Sequence, residues 1–411
     1  MNERHIAILL SHREVYQAEG AGAVTSCVRD MAACSRYRER IVVLGDPVSV
    51  PFVETKFLPI TKASWFYGRR TARYAQGAAN ALRALKPALV EVHNRPSYIE
   101  RLKKALPDIP LVLYLHNDPQ SMRDFKTPAE RMQVLRQAAA VVCVSGYIRG
   151  QLLDGLNSQE LSQELESKVH VVLNGVDTAA ITPHSDLSRR KEILFVGRLI
   201  PEKGSLLFAQ AAVLARARLP DWRFIVIGAW GFTNNESPKE YEKQVIAEMK
   251  KLGNQGEMTG YLPRRAALDR LAEGAISVIS SLWEEPCSLA AIEAMASGCA
   301  VIATRRGGLS EVVGDAGLFI DQDDPAQFAE CMVQLALNAP ALDQWQQRAR
   351  QRALQYLDIH HASASLDALR DAILDNRLDK NLGPLHWALI TLMTLNFFDG
   401  VFMLYFILPN L

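Results

Sequence analysis

The sequence lacks the residue spacings that mark the common metal and disulfide sites. It has six cysteines among 411 residues, none in a Cys-x-x-Cys pair, and nine histidines without a His-Glu-x-x-His motif. A disulfide scaffold and a structural zinc site are therefore disfavoured, and reduced thiols in a cytosolic protein are expected. The pattern Gly-x-x-x-x-Gly-Lys-Ser/Thr is absent as well, so a P-loop for nucleotide phosphates is not expected.

An excess of charge of either sign is also missing. The formal net charge is +1 and 49% of the residues are hydrophobic, which excludes a generally basic nucleic-acid binder and a disordered chain. Positive charge is concentrated at residues 56–104, where eleven Lys and Arg are opposed only by Glu91 and Glu100. This basic stretch is either an ordinary solvated face or a patch for an anionic membrane surface or acceptor.

Short apolar runs rich in β-branched residues recur along the chain, separated by helical stretches. Such alternation is typical of parallel sheets covered on both faces, so it predicts an α/β protein with two doubly wound, Rossmann-like domains. Strands are predicted at 5–10, 41–44, 88–93, 111–115, 141–144 and 169–173, and in a second series at 193–196, 224–227, 275–280, 300–303 and 318–320. The predicted units are domains at 1–181 and 192–345, a polar linker at 182–191, helices at 346–380 and an apolar tail at 381–411.

Two glutamates flank a predicted helix start in the second domain. A strand leads into a loop with Glu284 and Glu285, Leu289 opens a helix, and Glu293 follows one turn later. The free N–H groups of Leu289 and Ala290 would bind an anion, and carboxylates accept hydrogen bonds from vicinal hydroxyls. The pattern suits a sugar, a diphosphate and a ribose laid end to end. Alternatively, the glutamates are an ordinary loop acid and an exposed helix residue.

Two loops contain further candidates. Arg198 and Lys203 lie in the loop GRLIPEKG at 197–204, where two cations can neutralise a diphosphate leaving group without a metal ion. Ordinary loop cations are the alternative. Gly20 and Gly22 follow the first strand, and such small residues let a phosphate or sugar approach the backbone closely. A plain turn explains these glycines equally well.

Together these motifs resemble the GT-B glycosyltransferases of the large retaining family called glycosyl transferases group one. The resemblance covers most of the chain, in order, and rests on GAG at 20–22, LHND at 115–118, NGVD at 174–177, GRLIPEKG at 197–204, GYLP at 260–263, EEPCSLAAIEAMASG at 284–298 and GGLSEVV at 307–313. It implies two Rossmann-like domains facing a deep cleft, the first for the acceptor and the second for a nucleotide sugar. A C-terminal helix should cross back to the first domain.

The resemblance also implies a role for each matching residue. His116 should lie near the C6 hydroxyl of the donor sugar, and Arg198 and Lys203 should hold the diphosphate. Glu285 should bind sugar hydroxyls and Glu293 the ribose diol. The implied catalytic groups are His116, Arg198, Lys203 and Glu285. The implied donor-binding set is Gly22, Arg198, Lys203, Glu285, Leu289, Ala290, Glu293 and Gly308. Gly307 and Glu311 belong to the same loop as Gly308, and Glu311 either borders the site or supports a helix start.

Two positions depart from the family pattern. Cys287-Ser288 replace the Phe-Gly that often follows Glu-Pro, and Ala21 interrupts the paired glycines of the first loop, so the choice of sugar stays open. Asp321-Gln-Asp323 superficially matches a metal-binding Asp-x-Asp motif, but Asp323-Asp324-Pro325 resembles a helix start. The resemblance implies a metal-independent enzyme with no cofactor beyond its nucleotide-sugar substrate.

The reaction implied by the family is sugar transfer with retention of anomeric configuration. A retaining glycosidase needs one carboxylate as nucleophile and another as acid/base, and no residue in this sequence is a convincing nucleophile. The departing phosphate oxygen is instead expected to help deprotonate the acceptor on the same face of the sugar. The favoured function is hexose transfer from a nucleotide sugar, UDP-hexose before GDP-mannose, to a lipid-linked or cell-envelope saccharide, as in lipopolysaccharide or exopolysaccharide assembly.

The apolar tail bears on the location of the protein. Residues 385–408 contain no Lys, Arg or Glu and a single Asp, Asp399. A helix of this length would cross a bilayer, whereas Asp399-Gly400 is a turn signal that favours a re-entrant hairpin in one leaflet. Packing of the tail on protein is the third option. With the basic stretch at 56–104, residues 385–411 predict a cytoplasmic protein associated with the inner face of the cytoplasmic membrane.

Three other functions fit parts of the pattern. A soluble sucrose- or glucan-forming transferase leaves the tail unexplained. A nucleotide-sugar epimerase on the same fold does not need the pairing of Arg198 and Lys203 with Glu285 and Glu293. A catalytically silent scaffold that binds sugar nucleotides does not need every charged residue of the motifs.

Overall fold

The structure is a computed structural model that describes residues 4–157, 159, 161–183, 189–231 and 237–375. These residues form two sheets, both parallel throughout, and each sheet packs against helices. The predicted α/β class with two doubly wound, Rossmann-like domains is confirmed.

The first domain is built on a seven-stranded sheet in the order β3-β2-β1-β4-β5-β6-β7. Its strands are β1 (Ile6–Leu9), β2 (Ile41–Gly45), β3 (Lys56–Pro59), β4 (Leu89–His93), β5 (Leu111–Leu115), β6 (Ala140–Cys143) and β7 (Val169–Val171). Its helices are α1 (Ala23–Cys34), α2 (Arg70–Leu85), α3 (Ile99–Ala105), α4 (Pro128–Gln137), α5 (Gly146–Leu153) and α6 (Gln163–Ser167). The strand order reverses between β1 and β4, where a crevice forms at the carboxyl ends of the strands.

The second domain is built on a six-stranded sheet in the order β10-β9-β8-β11-β12-β13. Its strands are β8 (Arg190–Val196), β9 (Arg223–Ile227), β10 (Gly256–Gly260), β11 (Gly274–Ile279), β12 (Ala300–Thr304) and β13 (Leu318–Ile320). Its helices are α7 (Ser205–Ala215), α8 (Glu240–Lys250), α9 (Arg264–Glu273), α10 (Leu289–Ala296), α11 (Leu309–Val313) and α12 (Pro325–Leu337). Here the order reverses between β8 and β11, so the loops after these two strands meet at one crevice.

Continuous apolar runs explain why the central strands form. Every residue of β1, β4, β5 and β11 is buried, as expected where helices cover both faces of a sheet. Fully burying a Val, Leu or Ile side chain contributes about 1.5–3 kcal/mol. The sheets therefore hold the loops at their carboxyl ends in fixed positions.

Two edge strands were not among the predicted strands. β3 and β10 lie at the outer edges of the two sheets, and neither has a fully buried residue. Their sequences, KFLP and GEMTG, have no apolar run because only part of each strand packs on the core. An exposed edge strand gives a weak sequence signal for that reason.

One predicted boundary needs correction. The linker was placed at 182–191, but β8 begins at Arg190, so the last two residues of that stretch belong to the second sheet. Arg190 was read as linker because it is polar, but its backbone starts the strand while its side chain, 53% exposed, contacts Glu273 at 3.2 Å.

Two long helices carry the chain from the second domain back to the first. α13 (Ala339–Tyr356) packs on α10 and β12 of the second domain, and α14 (Ile359–Leu374) packs on α1 of the first. The Arg370 guanidinium binds both oxygens of Glu91 at 2.7 and 2.9 Å. Ser363 Oγ donates to the carbonyl oxygen of Met31 at 3.0 Å. The helix that was expected to cross back is present, and it is held by buried polar contacts.

The predicted apolar tail lies outside the described residues, as does the end of the predicted helical unit at 346–380. Among the helices that the structure describes, none has the length and hydrophobicity needed to cross a membrane.

Candidate active site

The loop after β8 carries the two cations that the sequence pointed to. Arg198 is exposed in this loop, and Lys203 lies at its end, one residue before Gly204. Gly204 has a φ of +67°, and a Cβ there would overlap the carbonyl oxygen of Ser280 at the end of β11. Ser280 Oγ donates to the carbonyl oxygen of Gly204 at 2.9 Å. The glycine thus lets the loops after β8 and β11 pack directly together.

This packing brings Lys203 to Glu285. Lys203 Nζ lies 2.6 Å from Glu285 Oε1, and Ser281 Oγ donates to the same oxygen at 2.5 Å. The Glu285 side chain is only 4% exposed, whereas 26% of the Lys203 side chain remains exposed. A buried carboxylate is costly unless it is paired, and Lys203 and Ser281 supply these partners to Glu285.

The start of α10 forms the floor of the same crevice. Ser288 caps the helix, its Oγ accepting a hydrogen bond from the Ala291 N–H at 3.4 Å. The N–H groups of Leu289 and Ala290 belong to the first helical turn, where backbone donors have no partner within the helix. The structure thus places these donors on the element that also carries Glu293.

Glu293 is paired with an arginine side chain. Its Oε1 accepts a hydrogen bond from Arg264 Nε at 2.7 Å, and Arg264 Nη1 donates to Asp30 of α1 at 2.6 Å. The two carboxylates raise the pKa of Arg264 despite its burial. The sequence did not point to Arg264 or Asp30, and together with Glu293 they link the two domains across the cleft.

His116 lies at the end of β5 in the first domain, 6% exposed. Its Nε2 is 2.8 Å from Nδ1 of His93 at the end of β4. Burial lowers the pKa of His116 well below its usual value, with the neighbouring His93 adding to the effect, and burial lowers the pKa of His93 to about 3. Both rings are neutral at physiological pH.

Asn94 fixes the backbone at this position. Its Oδ1 accepts hydrogen bonds from the N–H groups of His116 and Asn117 at 3.1 and 3.2 Å. Asn94 has a φ of +57°, a left-handed conformation that asparagine tolerates better than most residues. His93 and Asn94 were missed from the sequence, although they end a predicted strand.

The first glycine loop leads into α1. Gly22 is the residue that caps this helix, with an extended backbone, and Gly20 has a φ of +76°. A Cβ at Gly22 would lie 3.7 Å from Glu14 Oε2, which accepts a hydrogen bond from Thr25 Oγ1 at 3.1 Å. Gly22 is therefore positioned at a helix start, close to a half-buried carboxylate.

The loop with Gly307 and Gly308 closes over Glu285. The Gly308 N–H donates to the backbone oxygen of Glu285 at 2.7 Å, and Gly307 has a φ of +51°. A Cβ at Gly308 would overlap the carbonyl oxygen of Pro286 and crowd Ser145 of the first domain. These glycines allow the loop to lie between Glu285 and the first domain.

Glu311 bonds to the other domain instead of the crevice. Its two carboxylate oxygens accept hydrogen bonds from the N–H groups of Gly146 and Tyr147, both at 2.6 Å, at the start of α5. Burial raises the pKa of Glu311, although these two N–H donors oppose the shift. Of its two expected roles, support of a helix start is the one seen here, and the helix belongs to the first domain.

Comparison with known proteins matches these two halves to two family models. The model described as Glycosyl transferases group 1 matches residues 177–352, and the model described as Glycosyltransferase Family 4 matches residues 32–180. The chain is a group 1 glycosyltransferase.

Three proteins of known sequence are similar to this glycosyltransferase over more than half of its length. YtcC of Bacillus subtilis, named as a glycosyltransferase, is 27% identical over 83% of this chain and 84% of its own. Spore coat protein SA of the same species is 30% identical over 63% of this chain and 71% of its own. The lipopolysaccharide 1,2-N-acetylglucosaminetransferase of Salmonella typhimurium is 24% identical over 56% of this chain and 57% of its own.

A solved structure supports the arrangement of the two domains. HepE of Anabaena, in complex with UDP and glucose, superposes with a TM-score of 0.69 over 90% of this chain and 100% of its own, at 17% identity. The glycosyltransferase therefore has the GT-B fold, two Rossmann-like domains on either side of a cleft.

Both aspartates of the Asp-x-Asp motif form ion pairs with neighbouring arginines. Asp321 accepts a hydrogen bond from Arg305 at 3.1 Å and Asp323 from Arg306 at 2.9 Å. Asp324 caps α12, its Oδ1 accepting a hydrogen bond from the Ala326 N–H at 2.9 Å. In the part of the chain that the structure describes, no group of three or more His, Cys, Asp or Glu side chains is arranged to hold a metal ion.

A cavity of about 560 Å³ lies in the first domain, at the carboxyl ends of β1 and β2. Asp46 in its wall binds Arg70 at 3.1 Å and Lys62 at 3.1 Å. Burial and the nearby Arg95, Arg70 and Arg13 lower the pKa of His12, which also lines this cavity. The sequence did not predict the cavity, whose walls carry two cationic side chains, Arg13 and Arg70, and two carboxylates, Glu14 and Asp46.

Proposed function

We propose that this glycosyltransferase is a retaining, metal-independent enzyme that transfers a hexose, with UDP-hexose as the favoured donor, to a lipid-linked or cell-envelope saccharide. The observation that carries the donor half of the proposal is the contact of Lys203 with Glu285, directly before the start of α10. A cation, a carboxylate and free backbone N–H groups lie together there. These are the groups that a sugar diphosphate requires.

Donor binding would exchange the partners within this group. The diphosphate would bind Lys203, the exposed Arg198 and the N–H groups of α10, while sugar hydroxyls take over the freed oxygens of Glu285. Glu293 would turn from Arg264 to the ribose diol. Two cations beside the diphosphate stabilise the charge that develops as the bond to the sugar breaks, which is why no metal is needed in this proposal.

The proposed retaining step does not use Glu285 as a nucleophile. Its Oε1 is already shared by Lys203 and Ser281, and the side chain is buried, so it is poorly suited to attack the sugar. In the proposed step the bond from C1 to the phosphate oxygen breaks as the bond from C1 to the acceptor oxygen forms on the same face. The acceptor proton passes to the departing phosphate oxygen.

The test of the donor half is calorimetric binding of UDP-, GDP- and ADP-sugars with EDTA present. We expect saturable binding of one donor, weakened at least about tenfold in Glu293→Gln and in Arg198→Met through loss of charge-assisted hydrogen bonds. Asp321→Asn is the matched control and should bind like the wild type. Binding that requires a divalent cation, or an inverted product identified by NMR, would contradict the proposal.

The acceptor half rests on the surface beside the cavity. Trp65 and Phe66 are 69% and 77% exposed and stack on each other, and Gly68 separates this turn from Arg69 and Arg70. Exposed aromatic rings next to cations suit the interface of an anionic membrane, where a lipid-linked acceptor would be reached. The enzyme is therefore proposed to work at the cytoplasmic face of the membrane.

Vesicle sedimentation of the full chain tests this half. Replacing Trp65 and Phe66 by Ser should lower binding to vesicles containing phosphatidylglycerol by about tenfold, because the apolar insertion is lost. Leu337→Ser removes an equally exposed apolar side chain, 65% exposed, from the second domain and serves as control. Equal loss in both variants, or no binding by the wild type, would argue against a membrane-bound acceptor.

A further inference from the structure

Three aromatic rings are stacked at the carboxyl ends of β4 and β5. The rings of His93, Tyr114 and His116 contact one another. The Tyr114 centroid lies 4.8 Å from that of His93 and 4.5 Å from that of His116, with planes within 14° and 12° of parallel, and the two histidine centroids are 5.1 Å apart. Residues 93 and 114 are paired in the sheet. Asn94 Oδ1 accepts from the backbone N–H groups of His116 and Asn117 and so fixes the backbone, while the stack and the contact with His93 leave the His116 ring little rotational freedom.

The hydrogen bond between the two imidazoles needs one donor and one acceptor. A neutral imidazole has one N–H and one lone pair, so either His93 Nδ1 donates to His116 Nε2, or the reverse. In the first alternative both rings carry their proton on Nδ1, and in the second both carry it on Nε2. They differ in whether Nε2, at the far edge of His93, carries a lone pair or a proton.

The far edge of His93 decides between them. Its Nε2 is buried and has no hydrogen-bond partner among the described residues. A buried N–H without an acceptor is rarer in proteins than a buried acceptor without a donor. Nε2 of His93 therefore carries the lone pair, its Nδ1 carries the proton, and this proton is donated to Nε2 of His116.

We propose that His93 is a positioning residue that holds His116 in the Nδ1–H tautomer, so that His116 presents an N–H donor to a hydroxyl of the donor sugar. The inference rests on the proposed function, since only a bound sugar gives His116 an acceptor. His93 itself touches no substrate in this proposal. It acts by fixing which nitrogen of His116 carries the proton.

The tautomer is measured on the protein itself by long-range ¹H–¹⁵N NMR with ¹⁵N-labelled histidine. Signals are assigned with His116→Gln and His93→Asn variants. In the wild type, both His93 and His116 should show a protonated Nδ1 and an unprotonated Nε2. A protonated Nε2 on His116 overturns the proposal, whether or not a donor has been found.

Two variants connect the tautomer to activity. His93→Phe keeps a ring against Tyr114 but removes the N–H that donates to His116, so the His116 proton should move to Nε2. The value of kcat should then fall about tenfold, as for loss of one hydrogen bond. Affinity for the nucleotide sugar should stay unchanged. His93→Asn supplies an amide N–H near the Nδ1 position and should restore most of the rate. An unaltered kcat in His93→Phe, or equal loss in both variants, contradicts a positioning role.

These readouts separate the inference from the proposed function. If no sugar donor binds but His116 shows the Nδ1–H tautomer, the proposed function fails and the assignment of the proton stands. If a donor binds and reacts but His116 carries its proton on Nε2, the proposed function stands and the role of His93 is wrong.

Discussion

Two of the contacts between the domains differ in how their charges are held. At the crossing helix, Arg370 and Glu91 have side chains only 2% and 5% exposed, and Arg370 also binds Asp367 at 2.8 Å. At the cleft, Arg264 joins Asp30 and Glu293 with side chains 28%, 16% and 13% exposed. The first contact is sealed from water, while the second stays within reach of a ligand.

This difference indicates different tasks. Breaking a buried, fully paired charge leaves an uncompensated ion in the core, so the crossing helix is attached to the first domain permanently. An ion pair that keeps some exposure is worth less than a sealed one and can be exchanged for new partners. The cleft contact uses Glu293, the carboxylate proposed to bind ribose, so donor binding and the relative position of the domains are connected through one side chain.

The largest expected effect comes from breaking the sealed contact. Arg370→Met leaves the Glu91 carboxylate buried without its cation, and the free energy of unfolding should fall by about 3–5 kcal/mol. Denaturation with urea measures it. Arg218→Met, which breaks an exposed Arg–Glu pair with Glu330, is the matched control and should change little. Similar losses in both variants would show that the Arg370 contact is not special.

A smaller effect on stability is expected from the cleft contact. Arg264→Met should lower the free energy of unfolding by only about 1 kcal/mol, since the pair is partly exposed. Asp30 and Glu293 would then repel each other across the cleft, so small-angle scattering should show a larger radius of gyration. The neighbouring Arg265→Met, whose side chain is 71% exposed, should leave the scattering unchanged. Unchanged scattering in Arg264→Met would remove the contact from any role in closure.

Acid titration tests the cap of the crossing helix. Burial opposes ionisation of Asp358, but hydrogen bonds from Thr178 and from the N–H of His360 outweigh it and hold the pKa below the ordinary 3.8. Asp358 caps α14, and Asp358→Ala should cost about 1 kcal/mol at neutral pH. Because the folded pKa is lowered, the advantage of the wild type should be constant above pH 3.8 and shrink as the pH falls through the lower folded value. An advantage that persists in acid would contradict this assignment.

The smallest effect has the opposite sign and lies in the cleft. The pKa of Glu311 is raised above 4.5 by burial, so the folded chain holds this proton longer than the unfolded chain. The stability of the wild type relative to Glu311→Gln should therefore fall as the pH rises past 4.5. Parallel denaturation series of the two proteins test it. A rise over that interval would mean that the N–H donors of α5 dominate.

The sequence allowed the central architecture to be predicted because continuous apolar runs are unambiguous in a parallel sheet. The runs that became β1, β4, β5 and β11 are buried over their whole length. The edges β3 and β10 were missed because their residues are partly exposed. The predicted loops around Lys203 and Glu285 do meet, since they follow adjacent strands of the sheet, β8 and β11.

Partners from distant segments could not be predicted from motifs. Arg264 lies on α9, whereas Glu293 lies on α10 and Asp30 lies in the first domain. No local residue spacing indicates such a contact. The positions of His93 and Asn94, in contrast, could have been predicted. They end a predicted strand next to the one that ends at LHND, and the carboxyl ends of adjacent parallel strands lie side by side.

The crossing helix also decides how this protein can be taken apart. Helix α14 packs on α1 and places Arg370 beside Glu91 in the first domain, so that domain is assembled from two separate stretches of sequence. A protease that cuts between the domains would leave the fragments clasped together. A chimera that exchanges acceptor halves between relatives must exchange α14 with them, because a first domain ending at the linker would leave Glu91 buried without its cation.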